Sequence, residues 1–120
     1  MAKKQKKNDS YKVGPGDRQI KAAVAVGLGQ LGAVKLFLGR KLLTAGGAPL
    51  GQHPIGTASE LKGKLLIVET RVDDVSEMTN KMSVVIRLSG GPSAKTITTN
   101  GEVETANDSV IFETAILLRE

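Results

Sequence analysis

Residues Lys81–Ser89 read KMSVVIRLS, with apolar Met82, Val84, Ile86 and Leu88 at the even positions and Lys81, Ser83, Arg87 and Ser89 at the odd ones. Successive side chains of an extended strand point to opposite faces. This period of two therefore predicts a strand with one face in a core and one toward water, Val85 being the exception. Working outward, Ser109–Arg119 repeats the pattern with Val110, Phe112, Ile116 and Leu118 against Glu113 and Arg119. Lys64–Val72 joins it with Val68 and Val72 against Glu69 and Arg71, after an unbroken apolar Leu65–Val68.

Between these segments lies the threonine-rich stretch Ala94–Thr105, with Asn100-Gly101 at its centre. Asn-Gly accepts positive φ at both central positions of a type I′ turn, so this stretch is expected to fold as a hairpin. A second hairpin is expected at Leu38-Gly39-Arg40-Lys41, joining Val34–Leu38 to Lys41–Leu43. Asp73–Asn80 and Thr44–Glu60 read as connecting loops, the latter carrying Gly46-Gly47, Pro49, Gly51, Pro54 and Gly56. Ile20–Leu43 fits a strand pair through Ile20, Ala22, Val24, Val26 and Leu28, and a helix through Ile20, Val24, Gly27 and Leu31. Gly27, Gly29 and Gly32 favour strands, because each costs about 1 kcal/mol in a helix interior. Six or seven short strands with glycine-rich turns predict an all-β protein, an antiparallel β-sandwich or small barrel with a flexible N-terminal arm. The cysteine pair and core tryptophan of an immunoglobulin domain are absent.

The arm is where the charge lies. The chain of 120 residues has a formal charge of +5. Residues 1–21 hold Lys3, Lys4, Lys6, Lys7, Lys12, Arg18 and Lys21 against Asp9 and Asp17, and the remainder is neutral. With almost no apolar content and a Gly14-Pro15-Gly16 break, residues 1–19 are expected to form a flexible basic arm on a single domain spanning 20–120. Lys3, Lys4, Lys6, Lys7 and Lys12 are the candidate polyanion- or partner-binding residues. Such a cluster neutralises phosphates and releases counterions without reading sequence; it also solubilises a neutral body. The apolar run Ala22–Val34 is too short to span a membrane, and the acidic residues before it speak against a secretory signal, which favours a cytoplasmic protein.

Candidates for chemistry are few. With no Cys and one His, no thiolate nucleophile and no multi-histidine metal cage can form. Gly27-Leu-Gly29-Gln-Leu-Gly32 matches the dinucleotide-binding pattern G-x-G-x-x-G, which requires a helix behind it and an acidic residue about 20 positions on. That acidic residue is missing from TAGGAPLGQHP, so glycines at a bend between strands are the simpler reading. Asp73, Asp74 and Glu77 offer hard oxygens to calcium, but their spacing is not that of an EF-hand. His53 lies in a Gly- and Pro-rich segment, and no serine sits in a G-x-S-x-G elbow. Three aromatic residues, Tyr11, Phe37 and Phe112, are too few for a base-stacking single-strand reader. The expectation is a non-enzymatic interaction or assembly module without cofactor, metal or evident small-molecule substrate. It would act through contacts with a protein partner or with its own copies. Nucleic acid or another polyanion bound by the arm is the alternative.

Overall fold

The computed structural model describes residues 3–28, 30–74, 81–102 and 108–120. Among them nine strands form two sheets: β1 Lys3–Lys12, β2 Gln19–Gly27, β3 Leu31–Leu38, β4 Lys41–Gly47, β5 Leu50–Thr57, β6 Leu65–Asp73, β7 Lys81–Ser89, β8 Lys95–Glu102 and β9 Ser109–Arg119. One short helix, α1 Ala58–Leu61, links β5 to β6. The larger sheet has the order β1-β9-β6-β3-β4 and the smaller β5-β2-β7-β8. The fold is thus an all-β sandwich, and every neighbouring pair is antiparallel except β1 with β9. No helix among the described residues is long and apolar enough to cross a membrane.

The period of two places the core. Met82, Val84, Ile86 and Leu88 of β7 are all buried, and so are Val110, Phe112, Ile116 and Leu118 of β9. With Ile20, Ala22 and Val24 of β2 and Leu66, Val68 and Val72 of β6, they form one cluster shared by both sheets. Among its described residues the segment from Ile20 to Leu43 is strand except for Leu28, Gln30 and the Gly39-Arg40 turn, the expected second hairpin.

Four expectations change. First, Lys3–Lys12 is no free arm: it pairs in parallel along its whole length with Val110–Arg119. The segment holds because Gln5, Lys7 and Asp9 face inward and lead to Tyr11, which is 3% exposed, with Val13 fully buried beyond it. Second, Asn100-Gly101 is not a turn. Asn100 pairs with Ser83 and Gly101 with Met82, inside β8. The glycine serves close packing instead, since a Cβ there would lie 2.7 Å from Cζ of Phe112. The end of the expected hairpin, residues 103–105, lies outside the described residues. Third, Thr44–Glu60 is mostly strand. The Ala48-Pro49 step carries the chain from β4, an edge of one sheet, to β5, an edge of the other. Fourth, Thr57-Ala-Ser-Glu60 forms a capping box that starts α1: the Glu60 N–H donates to Thr57 Oγ1, and the Thr57 N–H donates to Glu60 Oε1 at 3.2 Å.

Candidate interaction surfaces

An exposed strand edge is a row of unpaired backbone groups, and this sandwich has four edge strands: β1, β4, β5 and β8. β1 and β8 lie on the same side and close it together. Side chains of β1 reach across the gap: Gln5 Nε2 donates to Asn100 O at 3.0 Å and Lys7 Nζ to Thr98 O at 3.1 Å. In return Lys95 Nζ donates to Asp9 Oδ1 and to Ser10 O, both at 2.7 Å. The Lys95 ammonium and then the Ser10 N–H hold the Asp9 carboxyl below its usual range. At the far end the Tyr11 hydroxyl donates to Ser93 O at 2.7 Å and accepts from the Gly91 N–H at 3.1 Å. β8 is therefore a latched edge.

The five candidate lysines divide between two tasks. Lys7 belongs to the latch. Lys4 and Lys6 point outward, flanking Glu113 at 3.7 and 3.8 Å with more than half of each side chain exposed. Exposed pairs of that length contribute little, about 0–1 kcal/mol, so both ammoniums stay accessible. Lys3 opens the strand opposite Val110, and Lys12 ends it opposite Arg119. Lys12, Arg119, Lys95, Ser10 and Ser93 line a cleft of about 230 Å³ at the seam of the two sheets. On the solvent side, lysines along β1 also discourage another strand from adding there.

The outer faces of the two sheets differ in chemistry. On the smaller sheet, Ala23, Ala25, Ser83, Val85, Arg87, Thr96, Thr98 and Asn100 share the outward face, nearly all small or polar. On the larger sheet, one row runs Ala115–Ile67–Phe37–Leu42 across four strands, with Leu117 and Leu65 adjacent in the next row. Leu42, Leu65 and Leu117 are 49%, 39% and 46% exposed. A row of charge, Lys6–Glu113–Glu69–Lys35, borders this apolar band on one side. Sequence reading missed the band because the outward leucines sit beside inward ones in Leu42-Leu43, Leu65-Leu66 and Leu117-Leu118. A doubled leucine hides which member faces water.

A further cleft of about 540 Å³ lies where the β3–β4 turn, β5, α1 and the start of β6 meet. Its apolar wall includes buried Ile55 and Leu61, and Lys41, Lys64 and Glu60 stand among its lining residues.

The remaining candidates do not assemble into a site. The glycine motif joins β2 to β3, a strand where dinucleotide binding requires a helix. Leu28 within it takes a positive φ of 64°. His53 pairs with Ala22 as a half-buried member of β5. Asp73 accepts from Arg71 Nε at 3.3 Å. Asp74 is 1% exposed, its N–H donates to Asp108 O, and both carboxylate oxygens lack a hydrogen-bond partner among the described residues. Glu77 lies outside the described residues, among which no cluster of three metal-ligating side chains occurs. No known protein family, characterised protein or solved structure matches the chain.

Proposed function

We propose that this protein is a non-enzymatic β-sandwich that works by docking onto protein, its own copies included, through the outer face of the larger sheet. The observation that carries this reading is the band Phe37–Leu42–Leu65–Ile67–Ala115–Leu117, set against the small, polar outer face of the other sheet. Contiguous apolar surface bordered by charge is typical of protein contact sites, and burying a leucine is worth about 1.5–3 kcal/mol. Light scattering across a concentration series is expected to give masses above the 12.6 kDa of one chain. The double variant Leu65→Glu/Leu117→Lys should weaken that association at least about tenfold while leaving the thermal melt in place, because both side chains already face water. A protein that stays monomeric at every concentration and cross-links to no partner would end this reading.

The second reading is polyanion binding along β1, favoured by the cleft that gathers Lys12, Lys95 and Arg119 at one end of the strand and by the outward Lys4 and Lys6 toward the other. It expects affinity for polyphosphate or duplex DNA that falls steeply between about 50 and 200 mM salt. The change of Lys4, Lys6 and Lys12 to Ala should abolish it. Lys7 is left out of that variant because it holds the latch. Binding indifferent to salt would exclude this reading.

A further inference from the structure

We propose that the 540 Å³ cleft beside α1 is a binding site for a single-chain amphiphile with an anionic head, of the alkyl carboxylate class. This site does not rest on the docking reading and meets the docking face only at Leu65, which borders both.

Its volume falls in the range of small-ligand clefts, about 300–1,000 Å³. Leu38, Leu43, Ile55, Leu61 and Leu65 present hydrocarbon, from fully buried Leu61 at 1% exposure to Leu65 at 39%. The lining therefore grades from dry to wet, as a ligand with an apolar tail and a hydrated head requires. Gly56 lets the β5 backbone pack against Leu61 in this wall, since a Cβ there would stand 3.1 Å from Leu61 Cδ2.

The polar lining supplies the sign of the head. Three charged residues line the cleft: Lys41, Lys64 and Glu60. Glu60 is already engaged, because its Oε1 accepts from the Thr57 hydroxyl at 2.6 Å and from the Thr57 N–H at 3.2 Å in the capping box. Its carboxylate is thus turned to the start of its own helix. Lys41 and Lys64 are both exposed, and their stems can lie along the apolar wall while the ammoniums meet an incoming anion. A carboxylate facing these ammoniums gains ion-paired hydrogen bonds, stronger than those a neutral alcohol accepts and closed to a quaternary ammonium.

The test is a titration of the full chain with hexanoate, octanoate and decanoate, all below their micelle concentrations, followed by methyl NMR and calorimetry. Saturable shifts are expected at Leu38, Leu43, Ile55 and Leu61. Affinity should rise about threefold to fourfold per added methylene. Decyltrimethylammonium, with a tail of the same length, should bind at least about tenfold more weakly than decanoate. The variant Lys41→Glu/Lys64→Glu changes two exposed side chains and should retain the melt while inverting that preference. No saturable shift up to millimolar decanoate would overturn the proposal, and so would equal affinity for both head groups. Cleft resonances that instead move with protein concentration would overturn it as well, by placing a second copy in the cleft.

Discussion

Removing residues 1–12 is expected to unfold the domain, not to release a tail. Ten consecutive residues of this segment are in register with β9, and their loss would leave β9 as a bare edge. The Tyr11 ring, 3% exposed, would go with them. Loss of a buried aromatic side chain alone costs about 3–5 kcal/mol, against a total of about 5–15 kcal/mol for a domain of ordinary stability. Thr98 O and Asn100 O would lose the donors that cover them, and Lys95 would lose Asp9. The truncated chain should therefore show no cooperative melt near that of the full chain and should aggregate through its two uncovered edges. A truncated protein that melts like the parent would show β1 to be dispensable. Tyr11→Phe is the graded version: it keeps the ring and removes the two hydroxyl hydrogen bonds, for an expected loss of about 1–3 kcal/mol.

Gly90→Ala is expected to be nearly as damaging from a single methyl group. Gly90 takes φ +101°, a conformation L-residues rarely adopt, and a Cβ there would run into the carbonyl oxygen of Gln19. Backbone strain of about 1–3 kcal/mol adds to overpacking of similar size against an atom that cannot swing away. The turn after β7 would then have to lift from the entry to β2. Gly46→Ala is the matched control. It also sits outside a helix, its Cβ would meet nothing within 4 Å, and its φ is ordinary. Chemical denaturation should separate the two by about 3 kcal/mol or more, with Gly46→Ala within about 1 kcal/mol of the parent. Equal midpoints for the two variants would mean that the turn repacks freely.

How far the fold was legible depended on whether a strand advertised its core face. β6, β7 and β9 did, since their inward positions carry Val, Ile, Leu, Met and Phe almost without interruption. β1 did not. Its inward residues are polar because Gln5 and Lys7 meet backbone carbonyls of β8 and Asp9 meets the Lys95 ammonium rather than a core, and only Tyr11 signals burial. Nothing local distinguishes such a strand from a solvated tail. β4 and β5 were hidden by glycine and proline, which edge strands tolerate and central strands do not. Asn100-Gly101 carried the strongest local turn signal in the chain, yet a distant ring, that of Phe112, decided its conformation. The candidate surfaces were less legible still. The lysines were visible as charge, but which of them is engaged depends on β8. The apolar band depends on register across four strands, a property no single segment contains.

The parallel pairing of β1 with β9 also orders events in time. β1 leaves the ribosome before the other eight strands, and its partner is the last of them to be made. Contacts between distant parts of a chain form slowly, because loop closure must precede them. Through that interval β1 is an unpaired strand exposed to every neighbouring chain. Four lysines in five residues are suited to such a wait: like charges repel copies of the same segment, and an ammonium resists burial in the wrong sheet. Lys4, Lys6 and Lys7 then become, once β8 and β9 have arrived, two outward charges and one rung of the latch. Of the lysines suited to guarding the unfinished chain, Lys7 is the one that closes the finished one.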